Sequence, residues 1–285
     1  MQLLKKLLPL FLMVAHSVTH AVVNGAPAYA RDAIARSTVL LVCIEEGHPA
    51  DRIVSSGTGV IVGSHLILTA GHLFSICKPG LDATNNVRYR WEVRFGVDGL
   101  SPRYSVPIGP EDFLNEDPSR LMSPLNIDHD TYKDYAFVRL AGTLPAGMRP
   151  IQVQANTSAV TKRTPIYFAG YGYTHSQGTD YRLRTAKLAV TGLDATSPGM
   201  PPLDPHLNAW DQEYYIEFYS RTVHPCFGDS GGPFYRLDGG QPVLVAMLTH
   251  ILHPHRRRGF CDTPSIGMRV EAVFDEMQRI IERTK

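Results

Sequence analysis

The sequence predicts an all-β protein made of two small β domains and closed by a C-terminal helix. Three observations carry that expectation. Short apolar runs recur along the chain, separated by 24 glycines and 21 prolines that supply turns and interrupt helices. The 285 residues, even without an N-terminal leader, are enough for two separate cores. Near the end, Val273, Phe274, Met277, Ile280 and Ile281 recur at helical spacing. No internal repeat or low-complexity tract interrupts this plan.

Taken in order, residues 1–21 read as a secretory signal peptide. Lys5 and Lys6 form a basic start, and the apolar run 7–15 is too short to span a bilayer. Ala21, with the small Thr19 two before it, is an acceptable cleavage site; a cut after Ala15 would instead leave 16–21 as a propeptide. No later stretch is long and apolar enough for a membrane helix. The runs 37–43, 59–68, 135–140, 165–169 and 242–248 predict buried strands. Between the first three and the last two, the Gly- and Pro-rich stretch 141–150 predicts a linker. Within 79–132, Pro102, Pro107, Pro110, Pro118 and Pro124 predict extended surface loops that can shape access to a site.

Three motifs carry chemistry. In Cys226-Phe227-Gly228-Asp229-Ser230-Gly231-Gly232-Pro233 a serine lies between an acid and two glycines. A serine hydroxyl is a weak nucleophile until a base takes its proton and donors stabilise the resulting oxyanion. Glycines let backbone N–H groups turn toward such a charge. Upstream, Leu66-Ile67-Leu68-Thr69-Ala70-Gly71-His72 reads as a buried strand delivering a histidine at its end. Lys133-Asp134-Tyr135-Ala136-Phe137-Val138-Arg139-Leu140 places an acid at the entry of another strand. Asp128 and Asp130 stand nearby as alternative acids.

Together these segments resemble the chymotrypsin-like (trypsin-fold) serine peptidases, whose TAAH-type, D-x-A-x-x-x-L and G-D-S-G-G-P motifs appear here as TAGH, DYAFVRL and GDSGGP. Their chain order, His then Asp then Ser, is also the family's, whereas unrelated serine hydrolases use other orders. The resemblance implies two six-stranded antiparallel Greek-key β-barrels with a C-terminal α-helix, the first barrel over 22–145 and the second, with the helix, over 146–285. It implies Ser230 as nucleophile, His72 as general base and Asp134 as the acid that orients the imidazole. The N–H groups of Gly228 and Ser230 would form the oxyanion hole. Val22-Val23-Asn24-Gly25 resembles the family's new N-terminus, whose α-ammonium would pair with Asp229. The expected signal cleavage and the expected activating cleavage then fall on one bond, Ala21–Val22. Gly170-Tyr171-Gly172 resembles a family turn, and 271–283 its C-terminal helix.

An even count of four cysteines in an exported chain suggests two disulfides, with three possible connectivities. The resemblance implies Cys226 with Cys261, which leaves Cys43 with Cys77; free thiols at the latter two are the alternative. The family's cysteine after the histidine is replaced by Leu73. The specificity pocket implied by the resemblance departs from the tryptic pattern. His224 stands six before the serine, where an acid would bind Lys or Arg, and Pro225 and Phe227 follow. Thr249, His250 and Ile251 form the second wall, and Ser265 and Gly267 the third. With His253, His255 and the arginines 256–258 nearby, such walls suit an acidic side chain before the scissile bond; a small or apolar one is the alternative. His250, His253 and His255 also read as a zinc site, but the resemblance implies no metal or cofactor.

The formal net charge of +1 provides no basic field for nucleic acid. The expected partners are polypeptide substrates and protein inhibitors, the expected state a monomer, and the expected location secreted or periplasmic with no membrane attachment after signal cleavage. The rival from another class is a non-catalytic relative that uses the fold to bind a partner.

Overall fold

The computed structural model describes residues 22–46, 52–77, 80–82, 87–115, 134–174, 178–192, 215–251 and 261–284. The expected leader 1–21, Asp128, Asp130, His253, His255 and the arginines 256–258 lie outside the described residues, as do parts of the 79–132 region.

The strands of the first half are β1 (Ala26–Pro27), β2 (Thr38–Glu46), β3 (Arg52–Gly63), β4 (Leu66–Thr69), β5 (Gly80–Asp82), β6 (Val87–Phe95), β7 (Tyr104–Ile108) and β8 (Ala136–Arg139), with a short helix α1 (His72–Ile76) after β4. The second half contributes β9 (Gln152–Val153), β10 (Ile166–Gly170), β11 (Arg184–Gly192), β12 (Tyr215–Tyr219), β13 (Pro233–Asp238), β14 (Gln241–Ile251), β15 (Ser265–Arg269) and the helix α2 (Phe274–Arg283). The expected all-β, two-barrel architecture with a C-terminal helix is present. In the second half β11, β10, β13, β14, β15 and β12 are neighbours in that order, and β12 returns to β11 to close the barrel. In the first half β6, β2, β3, β4 and β8 are successive neighbours and β7 lies on the other side of β6. The outer edges approach through a bridge between Phe113 and Val138 and a bond from Leu114 N–H to Phe137 O at 3.0 Å. Asn115 seals that seam by donating to Tyr135 O and accepting from Phe137 N–H.

One expectation changes. The run 59–68 is not a single strand: Ser64 and His65 form a turn, and β3 and β4 pair as an antiparallel hairpin. The turn is fixed by its polar residue, since His65 Nδ1 lies 2.6 Å from Gly142 O.

Buried β-branched and aromatic side chains fill both barrels, each worth roughly 1.5–3 kcal/mol on full burial. Trp91 and Phe95 are buried in the first, and Phe218 stacks on Phe234 at 3.9 Å in the second. The chain's two outer segments cross over. Val22 joins the second core and β1 pairs with β11, whereas α2 returns to the first barrel. There Met277 and Ile280 are buried, Ile281 abuts Gly63, and Glu276 accepts the Tyr135 hydroxyl. Both disulfides are formed: Cys43 with Cys77, tying β2 to the end of α1, and Cys226 with Cys261. No described helix is long and apolar enough to cross a membrane.

Candidate active site

The pairing of β4 with β8 sets Thr69 opposite Ala136, so the residues just beyond Thr69 meet those just before Ala136. Gly71 makes the close passage possible, because a Cβ there would lie 2.8 Å from Tyr135 O. His72 and Asp134 are thereby placed side by side. The carboxylate of Asp134 accepts the His72 backbone N–H at 2.8 Å and lies 2.6 Å from Nδ1 of the ring. Nε2, on the far side of the imidazole, is 3.1 Å from Ser230 Oγ. A proton on Nδ1, held by the acid, leaves Nε2 with a lone pair aimed at the serine hydroxyl.

Burial and charge compete at this pair. Burial alone lowers the His72 pKa, but the charge and hydrogen bond of Asp134 overcome it and hold the imidazole above its usual value. Burial raises Asp134, yet the charge and hydrogen bonds of His72, and beyond them the charge of His250, hold it below the usual carboxylate range. His250 lies with its ring centroid 5.9 Å from that of His72.

Ser230 comes from the other barrel. Its loop needs glycine at Gly228 and Gly231, where φ is 83° and 84°. Gly231 also has no room for a side chain: a Cβ would fall 2.1 Å from Thr58 O and 2.2 Å from Thr69 Oγ1. The loop is anchored through its carbonyls. Thr58 N–H donates to Ser230 O at 2.8 Å, Thr58 Oγ1 donates to Gly228 O at 3.1 Å, and Tyr173 N–H donates to Phe227 O at 2.7 Å. Tyr171 N–H in turn donates to Thr58 Oγ1 at 3.1 Å. Among the described residues, the N–H groups of Gly228 and Ser230 have no partner. Thr58 carries no motif signal in the sequence, and Tyr171 is marked there only by Gly170-Tyr171-Gly172, which resembles a family turn.

Asp229 is fully buried and its two oxygens accept N–H groups, from Gly172 at 2.7 Å and Cys226 at 2.8 Å. Burial outweighs those bonds and pushes its pKa up to about 7. Gly170 and Gly172 make the space, since a Cβ on either would collide with the carboxylate. Val22 is also fully buried, and Val23 bridges to His224 with His224 N–H donating to Val23 O at 3.1 Å.

The expected pocket residues separate into groups. His224 is 5% exposed, with Nε2 at 3.5 Å from Asp262 Oδ1 and Nδ1 buried without a hydrogen-bond partner among the described residues. Tyr219 OH donates to the same Asp262 oxygen at 3.0 Å. Thr263 Oγ1 and Ser265 Oγ are likewise buried and unpartnered. Burial lowers the His224 pKa against the opposing charge of Asp262. Thr249 is buried and its hydroxyl donates to Ile266 O at 3.2 Å. Ile251 is half-buried, Pro225 buried, and Phe227 exposed with its ring 6.1 Å from that of Tyr173. Gly267 faces the core, where a Cβ would lie 2.8 Å from the Phe218 and Phe234 rings. Among the described residues no group of three His, Cys, Asp or Glu side chains is arranged to hold a metal.

Comparison with known proteins identifies the family and the fold. The Trypsin family model matches residues 47–274. Among solved structures, HL collagenase superposes with a TM-score of 0.60 at 18% identity, covering 90% of this chain and 97% of that one. The scabies mite inactivated protease paralogue S-D1 superposes with a TM-score of 0.65 at 14% identity, covering 92% and 97%. At those identities the likeness is one of fold.

Proposed function

Because the chain belongs to the trypsin family, we propose that it is a secreted serine endopeptidase working through an acyl-enzyme on Ser230. The observation that carries this reading is the continuous hydrogen-bonded path from Asp134 through His72 to Ser230 Oγ. Ser230 Oγ attacks the scissile carbonyl carbon as His72 Nε2 takes its proton. The N–H groups of Gly228 and Ser230 receive the oxyanion. His72 then gives the proton to the departing amine, and water, activated by the same imidazole, releases the acyl group. Asp134 holds the ring in the productive tautomer and balances its charge. We assign the strands of the first barrel to 22–145 and those of the second to 146–285, with β1 and α2 each packed on the other barrel.

Maturation follows from Val22. In the uncut chain this β-branched residue sits at φ 47°, a left-handed conformation costing roughly 1–2 kcal/mol. Cleavage before Val22 removes the constraint, since a first residue has no φ, and creates an α-ammonium that would pair with Asp229, which is buried with no ion pair among the described residues. With signal cleavage at the same bond, export alone yields active enzyme.

For the residue before the scissile bond we favour an acidic side chain over a small or apolar one: His224 Nδ1, Thr263 Oγ1 and Ser265 Oγ have no hydrogen-bond partner among the described residues, and a substrate carboxylate would have to uncover these buried atoms to engage them. Buried polar atoms without partners are costly unless a ligand satisfies them.

The name of one structural neighbour, an inactivated protease paralogue, keeps a purely binding role in view. Fluorophosphonate labelling of the mature protein separates the two. Labelling that disappears in Ser230→Ala supports the peptidase; no labelling of the unaltered protein sinks it.

A further inference from the structure

Ala35, Arg36, Phe95, Val97, Arg103 and Met148 help line a cleft of about 790 Å³ that includes none of His72, Asp134, Ser230 and His224. Its size falls within the roughly 300–1,000 Å³ usual for ligand sites. The walls are the end of β6, the β6–β7 connection and residues 145–148 between the barrels. The floor is apolar, with Ala35 and Phe95 both buried. Two arginines, Arg36 and Arg103, also line it. Neither Arg36 nor Arg103 makes a side-chain hydrogen bond or ion pair among the described residues. The acid in the lining, Asp98, lies 3.3 Å from Arg182, outside the cleft. Arg31, next to the lining residue Ala30, holds its charge over the Tyr29 ring at 5.2 Å.

We propose that this cleft is a second binding site, which docks an acidic peptide segment with apolar neighbours, carried by a polypeptide substrate or inhibitor. Guanidinium groups without partners form charge-assisted, bidentate hydrogen bonds with carboxylates, and the apolar floor takes the side chains between them. An inorganic anion would engage the arginines and leave that floor uncovered. The site is braced against the serine loop. Tyr171 OH donates to Gly96 O in the cleft wall at 2.7 Å, and Tyr171 N–H donates to the Thr58 hydroxyl that holds Gly228 O. A partner docked in the cleft is thus held on the same frame as Ser230, and linking two weak contacts multiplies their strength.

The test uses the full mature chain carrying Ser230→Ala, so that no probe is consumed. A fluorescent decapeptide alternating Glu or Asp with Phe and Leu is titrated by anisotropy, against its Gln and Asn counterpart, in low and high salt. The double variant Arg36→Ser, Arg103→Ser is compared after its thermal melt shows that it folds. The expected result is saturable binding of the acidic peptide, weakened by salt, and lost at least tenfold with the neutral peptide and with the double variant. Equal binding of both peptides, or undiminished binding by the double variant, overturns the proposal. So does loss of binding on His224→Ala instead, which would assign the peptide to the pocket beside the serine. Because the readout is binding to an inactive protein, its failure leaves the peptidase reading to be judged by labelling alone.

Discussion

His72 is pulled down by burial and up by Asp134, and the acid wins. A base must be deprotonated to act, so kcat/KM should rise with pH through a pKa above the ordinary 6.5 of histidine. Asp134→Asn should lower the rate by about ten-thousandfold and shift that acid limb to lower pH, because the charge that raised the imidazole is gone. A pH–rate profile of the two proteins checks both parts; an unmoved limb would remove Asp134 from its role. His224 is displaced the other way, by burial, and in the proposed pocket it would meet substrate as a neutral hydrogen-bonding ring near neutral pH. Protonation at lower pH adds a charge, so the preference for Glu over Gln before the scissile bond should grow as pH falls. The ratio of kcat/KM values for paired peptides measures this independently of His72. The sequence announced Ser230, His72 and Asp134 because reactive geometry needs fixed residue types at fixed positions. It was silent on Thr58, which acts through an ordinary hydroxyl and N–H, and on Thr263, whose significance lies in an absent partner.

Short elements carry the site, and their tolerance is uneven. Gly231 combines φ of 84° with a Cβ position that overlaps Thr58 O, backbone that cannot swing away. Gly231→Ala should therefore destabilise the protein by on the order of 3 kcal/mol and abolish labelling of Ser230; chemical denaturation provides the first measurement. Gly142 and Gly147, in the expected linker, have open space around them, so only their φ of 89° and 88° opposes a side chain. Strands β2, β8, β10 and β14 were legible from their apolar runs because burial on a pleated surface demands β-branched and aromatic residues. The break between β3 and β4 was not, since two polar residues inside an apolar stretch do not reveal a reversal until the pairing partner is known. The seam at Asn115 escaped for the same reason: it joins residues far apart in the chain.

At the scale of the molecule, Asp229 is a fully buried carboxylate with no ion pair among the described residues. In a chain still extended before Val22, its pKa is pushed from 3.8 up to about 7. The folded form then holds a proton that the unfolded form releases, so the contribution of Asp229 to stability is fully present below 3.8 and is lost as pH rises through about 7. A Ser230→Ala protein retaining residues 16–21 should lose melting temperature across that window. The same protein beginning at Val22 should not, because its α-ammonium favours the carboxylate. Parallel melts that coincide at every pH would refute the pairing. The two-barrel plan was readable from length, turn residues and motif order. The exchange of outer segments was not, because β1 is two residues long and α2 shows only that one face is apolar, not which barrel receives it.

That exchange has a practical side. Neither outer segment of the folded chain is a spare handle: the front of the chain is a latch on the rear barrel, and the rear helix a latch on the front one. A purification tag ahead of Val22 would occupy the end that the proposed maturation frees. Trimming into α2 would strip Met277 and Ile280 from the barrel that presents His72, so a shortened protein could stay folded in halves yet lose the alignment of imidazole and serine across the join. Fusion partners belong beyond Thr284, where the helix has already closed.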